Sequence, residues 1–278
     1  MTLRKCLSWD LDKKLRPQIQ FLIDCRPHCT SMGTAIKHLR KVIAKVSPDM
    51  TECDAKEHIC DMIDVFIQER ITFAGKVIAN KALTKIKDGD IILTYGSCHV
   101  VRSLLLMAHD VGIKFRVVVC DSRPHCEGRD LLRRLSQAGI DCTYVLINHV
   151  SYICREVTKV FLGASAMLSN GCALARVGTA LVAMAAHSYN IPVLICCETY
   201  KFSERVQLDS ICHNELGDPD QLASPHLLNW RDIPHLKLLN LRYDLCPIDY
   251  ISMVITEVGM IPPTSVPALL REYRGDEN

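Results

Sequence analysis

The sequence predicts an α/β protein in which an amino-terminal helical domain is followed by a Rossmann-like parallel-sheet domain. Two observations carry that reading. Up to about residue 88 the apolar residues recur at three- and four-residue steps, whereas after Gly89 they gather into short β-branched runs with helical patterns between them. Strands that alternate with helices build right-handed βαβ units, and those stack into a parallel sheet. The expected domains are 1–88 and 89–278.

In chain order, Met32, Ala35, Ile36, Leu39, Val42, Ile43 and Val46 mark one stripe of a helix that Pro48 stops. A longer helical stretch runs from about Asp54 to Ile86, with Ile59, Ile63, Phe66, Ile67, Ala74, Val77 and Ile78 on related faces. Lys87-Asp88-Gly89 is its exit turn. Strands are expected at 90–95, 115–120, 142–147, 160–162 and 193–197, with helices at 100–109, 129–138, 151–158 and 177–188 between them. From Glu204 to His235 apolar residues thin out and Asp218-Pro219, Ser224-Pro225 and Ile233-Pro234 intervene, which reads as a long loop. Leu236 to Tyr243 then forms a last strand and Asp249 to Gly259 a closing helix.

Composition narrows the function. With 278 residues and 49% hydrophobic content the chain folds as one large domain, or as a core domain with a smaller one. Thirty-three basic against 31 acidic residues leave a charge of +2, without the surplus that phosphate-backbone binding needs, so nucleic acid is not an expected partner. The 15 cysteines include no Cys-x-x-Cys pair and mostly sit in apolar runs, which reads as buried reduced thiols. Cys25-Arg-Pro-His28-Cys29 offers three candidate metal ligands within one turn but no second pair at zinc spacing, so it reads as a helix-entry loop; no metal and no cofactor are expected. Met1 to Asp10 hold no apolar leader segment and no run reaches the ~18 apolar residues of a membrane span, so a cytosolic location away from membranes is expected.

A parallel sheet places ligand sites at the carboxyl ends of its strands. Four segments fall there: 94–99, 121–128, 163–171 and 175–179. In them Gly96 and Ser97 present backbone to an anion, Gly128 opens a helix, Arg123 and Arg176 supply positive charge, and Ser165 supplies a hydroxyl. His99 and His125 are placed as general bases but lack a partner carboxylate in the sequence. Cys196 and Cys197 point to opposite faces of their strand and so cannot form a normal structural disulfide. No dinucleotide fingerprint or Walker sequence occurs.

Taken together, Val117-Val-Val-Cys-Asp-Ser-Arg-Pro124 with Glu127-Gly128, Leu162-Gly-Ala164 with Ser169-Asn-Gly171, Arg176-Val-Gly-Thr-Ala180 and Val193-Leu-Ile-Cys-Cys-Glu-Thr-Tyr-Lys-Phe202 resemble the regulatory subunits of translation initiation factor 2B. That factor is the guanine nucleotide exchange factor for initiation factor 2. Glu204-Arg-Val-Gln207, Asn214-Glu-Leu216, Asp218-Pro-Asp220, Glu257-Val-Gly-Met-Ile-Pro262 and Cys25-Arg-Pro27 resemble the delta-type branch. The likeness runs from Leu7 to Arg271; the long charged extension that precedes this region in delta-type subunits has no counterpart ahead of Leu7. It implies a non-catalytic chain with a dimerisation surface on its α/β domain. The implied partners are the alpha, beta, gamma and epsilon subunits, together with initiation factor 2 whose alpha subunit is phosphorylated. The implied contact residues are Trp9, Glu69, Arg70 and Phe73 on the helical domain.

The same fold family contains sugar-phosphate isomerases acting on methylthioribose 1-phosphate or ribose 1,5-bisphosphate, and these are the rival reading. By resemblance, their catalytic cysteine falls on Gly96, their catalytic aspartate on Ser165 and their Asn-Lys pair on Ala175-Arg176, while Arg123-Pro124 remains. Proton transfer between adjacent sugar carbons needs an acid and a base within hydrogen-bond reach. A glycine and a serine at those positions supply neither, and Cys98 lies two residues further on, at the start of a helix. The pocket is then expected either to be filled by Tyr95 and Arg176 or to keep a regulatory ligand.

Overall fold

A computed structural model describes residues 7–275 apart from Pro48, 210–213, 224–226 and Leu228; the side chains of 7–9 and 273–275 also lie outside the described set. The expected stop at Pro48 and the Ser224-Pro225 turn therefore fall outside it. The chain divides into two compact units, Met1–Ala74 and Gly75–Asn278.

The first unit is helical: α1 (Leu7–Cys25), α2 (Thr30–Lys45), α3 (Glu52–Phe66) and a π-helical stretch, Ile67–Phe73. Thr51 starts α3 by accepting the Asp54 amide at 3.2 Å, and Glu52 and Asp54 in the first turn suit the positive end of the helix. Val42 and Ile43 of α2 and Ile59 of α3 are buried together, with Leu11 and Leu15 of α1 and Met62 packed against them. Residues 26–29 form the loop into α2, as the Cys25-Arg-Pro-His28-Cys29 spacing suggests.

The second unit opens with α4 (Ala74–Leu83) and is built on a seven-stranded sheet. Its strands are β1 (Ile91–Tyr95), β2 (Arg116–Asp121), β3 (Asp141–Leu146), β4 (Lys159–Gly163), β7 (Val193–Cys196), β10 (Met253–Ile255) and β11 (Met260–Ile261). In space they run β11-β10-β7-β4-β1-β2-β3, all parallel except β11. Reading outward in both directions from β1, the chain winds first to β2 and β3 and then back through β4 to β7 and β10. This is a doubly wound sheet whose direction of winding reverses between β1 and β4.

Period-two alternation builds a core on both faces of that sheet. Leu93, Val118, Val160 and Leu162 join Val182, Ala183 and Ala186 of α8 (Thr179–Ser188) and Val150 and Ile153 of α7 (Val150–Ile153). Ile92, Val117, Val119 and Phe161 face Ile78 of α4, Leu104 and Leu105 of α5 (His99–Asp110), and Leu131 and Leu135 of α6 (Gly128–Gln137). A second, four-stranded sheet, β8-β5-β6-β9, joins β5 (Ala166–Leu168), β6 (Ala173–Arg176), β8 (Phe202–Ser203) and β9 (Tyr243–Cys246). At the foot of β1, Asp90 is clamped by Lys159 Nζ at 2.5 and 2.6 Å, by Thr158 Oγ1 at 2.8 Å and by the Lys87 amide at 2.7 Å. Burial disfavours its charge, but these donors outweigh burial and hold the carboxyl below its usual range.

Three expectations change. The helix at 249–259 is absent; that stretch holds a short 3-10 turn, β10 and part of the turn to β11, and the closing helix is α9 (Val266–Gly275). Ile248, Ile251, Ile255 and Val258 fall at three- and four-residue steps and so imitate a helical stripe, but β10 instead pairs in parallel with β7. The strand expected over 236–243 forms instead at Tyr243–Cys246, because ahead of it Leu241 makes only an isolated bridge to Leu216, and it is not the last, since β10 and β11 follow. The described cysteines of the sheet unit are buried or half-buried, whereas Cys25, Cys29, Cys53 and Cys60 of the helical unit are exposed thiols.

Candidate functional site

The strand ends on either side of the winding reversal are shaped first by Tyr95, the last residue of β1. Its ring is buried, and its hydroxyl donates to the Val177 carbonyl at 2.5 Å and lies 2.6 Å from Ser122 Oγ. Burial raises this phenol far above its usual range, so it stays neutral. The next residue after Val177 must be glycine: Gly178 has φ +103°, and a Cβ there would overlap the Tyr95 hydroxyl and Ile147. At Gly96, with φ +61°, the backbone instead turns into open space, and a Cβ would meet nothing within 4 Å.

Two cavities open at this point. One, of about 230 Å³, is lined by Asp121, Ser122, Arg123 and His125 with Leu239 and Arg242 opposite. The other, of about 250 Å³, is lined by Ser97, Cys98, His99, Ser165, Lys201 and Tyr243. Tyr95, Gly96, Glu127 and Arg176 line both. Arg176, at the end of β6, donates from Nε to Glu127 Oε2 at 2.9 Å and from Nη2 closely to Oε1, and its guanidinium lies 6.0 Å from the Tyr243 ring centroid. A bidentate pair of this kind fixes direction as well as distance.

Several other charged side chains at the strand ends are engaged internally as well. Asp121 accepts the Ser122 amide at 2.9 Å and the Tyr144 hydroxyl at 3.0 Å. Lys201 lies 2.7 Å from Glu198; burial works against its charge, but Glu198, Cys197 and Tyr200 outweigh burial and keep it above the usual lysine value. Asp244 caps α8 by accepting the Gly178 amide at 2.7 Å and the Ala180 amide at 3.0 Å, while its Oδ1 is buried without a partner among the described residues. Burial pushes that carboxyl up to about 6 against the opposing pull of the two amides. Cys98, half-buried beside Gly163, is held as a neutral thiol because burial raises its pKa. His99 and His125 sit exposed on the cavity walls.

Of the residues singled out in the sequence, Gly96, Ser97, Ser165 and Arg176 come together around the second cavity, and Arg123 lines the first. Gly128 lines neither; it is buried where a Cβ would stand 3.0 Å from the Asp121 carboxyl and Val119. Glu69, Arg70 and Phe73 are exposed on the π-helical stretch, and Trp9 lies in α1 with its side chain outside the described residues. Glu127, Lys201 and Asp244 escaped sequence reasoning as site residues. Lys201 carried a legible signal, the three-residue step from Glu198, whereas Glu127 and Asp244 reach partners 49 and 64 to 66 residues away. Among the described residues no group of three or more His, Cys, Asp or Glu side chains is placed to hold a metal, and no helix is long and apolar enough to cross a membrane.

A family model described as the initiation factor 2 subunit family matches residues 5–263. The chain is 50% identical, over 97% of its length, to translation initiation factor eIF2B subunit delta of Dictyostelium discoideum, covering 45% of that protein. It spans about half the length of the delta-subunit relatives it matches. In structure it superposes with a TM-score of 0.82 on a chain of the tetrameric eIF2B beta2-delta2 complex from Chaetomium thermophilum, at 37% identity, covering 92% of this chain and 79% of the other. A ribose 1,5-bisphosphate isomerase from Methanocaldococcus jannaschii is 30% identical over 96% of this chain and 82% of its own length.

Proposed function

The chain belongs to the initiation factor 2 subunit family, and from that premise we propose that it is a delta-type, non-catalytic regulatory subunit of translation initiation factor 2B. In this reading it supports exchange of GDP for GTP on initiation factor 2 and takes part in sensing phosphorylation of that factor's alpha subunit. The observation that carries the reading is the state of the strand ends. An isomerase fold is retained while Gly96 has no side chain where a catalytic thiol would stand, Ser165 supplies no carboxylate, and the nearby Cys98 is an inert thiol. The greater identity to a delta subunit than to an isomerase supports it further.

In this reading regulation falls to the helical region expected at 1–88 and the Rossmann-like core and dimerisation to 89–278, with α4 inside the first range packing Ile78 into the sheet core. On the first, exposed Glu69, Arg70 and Phe73, with Trp9, form the proposed face for phosphorylated factor 2, where nearly two added negative charges would order contacts with an arginine. On the second, the exposed Tyr152, Leu181 and Met184 support a surface for other subunits. The partners are the alpha, beta, gamma and epsilon subunits, in the cytosol, without nucleic acid or membrane.

Native mass spectrometry after mixing with a beta-type subunit tests this. A stable hetero-assembly is expected. A chain that stays apart from the beta-type subunit and turns over ribose 1,5-bisphosphate would replace this reading with the isomerase that the 30% relative favours.

A further inference from the structure

Ligands of a doubly wound sheet lie at the carboxyl ends of its strands, yet a cavity of about 420 Å³, larger than either chamber there, opens at the opposite, amino end. Its walls are the first residues of β1, β2 and β3 and the exits of α5 and α6. Gly89 and Gly139 make two of its turns, at φ +81° and +84°, and a Cβ at either would meet nothing within 4 Å, so the mouth is open. Ile113, Phe115 and Ile140 supply an apolar wall that continues into the sheet core. Of the charges around it, Asp90 is held by Lys159 and Arg116 by Glu156. Lys114 and Asp141 are exposed, and among the described residues neither side chain has a hydrogen-bonding or ion-pair partner. The strand ladder fixes their spacing. Asp141 stands opposite Arg116, and Lys114 lies two residues ahead of Arg116, its carbonyl accepting the Gly89 amide at 2.7 Å. Strand dimensions then put the two Cα atoms about 8 Å apart, close enough for both side chains to reach one small molecule.

One free anion and one free cation beside an apolar wall match the three parts of an apolar α-amino acid. A ligand with only negative charge would face Asp141 and the negative carboxyl ends of α5 and α6, and one with only positive charge would face Lys114. We propose that the amino-end cavity binds a free α-amino acid with an apolar side chain: Asp141 takes its ammonium group, Lys114 its carboxylate, and Ile113, Phe115 and Ile140 its side chain. A volume of this size lies within the usual range for small-molecule sites. The cavity lies away from the strand-end cleft, and association with other subunits is not among the readouts below, so this site and the proposed subunit role can fail separately.

The test is calorimetric titration of the full chain with L-leucine, glycine, L-leucinamide and 4-methylpentanoate, on wild type, Lys114→Met and Asp141→Asn. Leucinamide keeps the ammonium group without the carboxylate, and 4-methylpentanoate keeps the carboxylate without the ammonium group. Wild type is expected to bind leucine in the sub-millimolar range and each of the other three at least tenfold more weakly, equivalent to about 1.4 kcal/mol. Both substitutions should weaken leucine at least tenfold. Lys114→Met should leave the affinity for leucinamide unchanged, and Asp141→Asn that for 4-methylpentanoate, since each removes a group that the probe cannot use. Both side chains are exposed, so the variants should melt with wild type. The rise in melting temperature on adding leucine, largest in wild type, is the second reading. Absence of leucine binding, leucinamide or 4-methylpentanoate binding as tightly as leucine, or leucine affinity that survives either substitution overturns the proposal.

Discussion

The two units treat their apolar residues in opposite ways. In the helical unit the buried cluster comes down to Val42, Ile43 and Ile59, while Phe21, Leu22, Val65, Ile67, Ile71 and Phe73 stay exposed. In the α/β unit both faces of the sheet are filled, with Phe161, Leu104, Leu131 and Leu162 wholly or almost wholly enclosed. A unit that leaves so much apolar surface uncovered is built to be touched, and one that encloses its large side chains is built to hold shape. The sheet core is thus the rigid scaffold, and contact surface lies on the helical unit and on the exposed residues outside that core, such as Tyr152, Leu181 and Met184.

Core truncation gives the largest expected contrast. Phe161→Ala in β4 should destabilise by about 3–5 kcal/mol, because the close-packed sheet cannot collapse into the void. Ile43→Ala in α2 should cost about 2 kcal/mol, the low end for such a change, since its neighbours Leu11, Leu15 and Leu39 are only half-buried and can shift. Urea unfolding followed by circular dichroism measures both, and an Ile43→Ala cost equal to that of Phe161→Ala would break the contrast.

Within the scaffold, the buried carboxylates sharpen the comparison, because among the described residues Asp90 has a cation and Asp244 has none. Lys159→Ala should cost about 3 kcal/mol or more by leaving Asp90 charged without its cation. Asp90 sits below its usual range when folded, so its stabilisation is present at neutral pH and fades as pH falls through the folded value. Asp244 is the reverse. Its carboxyl is raised from 3.8 to about 6, so the folded state is favoured below pH 4 and loses that advantage as pH rises to about 6. Asp244→Asn keeps an oxygen for the Gly178 and Ala180 amides, and wild-type stability relative to this variant should decline across that pH window. Melting curves at pH 4, 5, 6 and 7 read it directly, and a flat difference would assign the cap no role in the pH response.

What the sequence made legible follows the same division. The strands at 91–95, 116–121 and 193–196 were readable because buried parallel strands are continuous β-branched runs. The small sheet was not, since β5, β6 and β8 are two to four residues long and form only because the long excursion returns β9 beside β6. The site showed the same limit. Gly96, Ser97, Ser165 and Arg176 were found because the strand-end rule depends on order along the chain, whereas the partner of Arg176 was invisible because Glu127 reaches it only after folding.

The smallest effect on stability is expected where the proposed function is most exposed. Glu69 and Arg70 lie on the surface of the π-helical stretch, a geometry that is rare in helices and recurs at functional positions. Both side chains are exposed, so reversing them with Glu69→Lys and Arg70→Glu should change stability by less than about 0.5 kcal/mol. If this face reads the phosphorylated alpha subunit of factor 2, the double variant within the assembled complex should lose several-fold affinity for the phosphorylated form and little for the unphosphorylated one, because only the former presents the added charge. The loss should shrink as salt is raised, since an exposed charge contact is screened over about 8 Å at physiological ionic strength. Equal loss for both forms would reduce these residues to a general docking contact and leave the helical unit a contact surface without a sensing role.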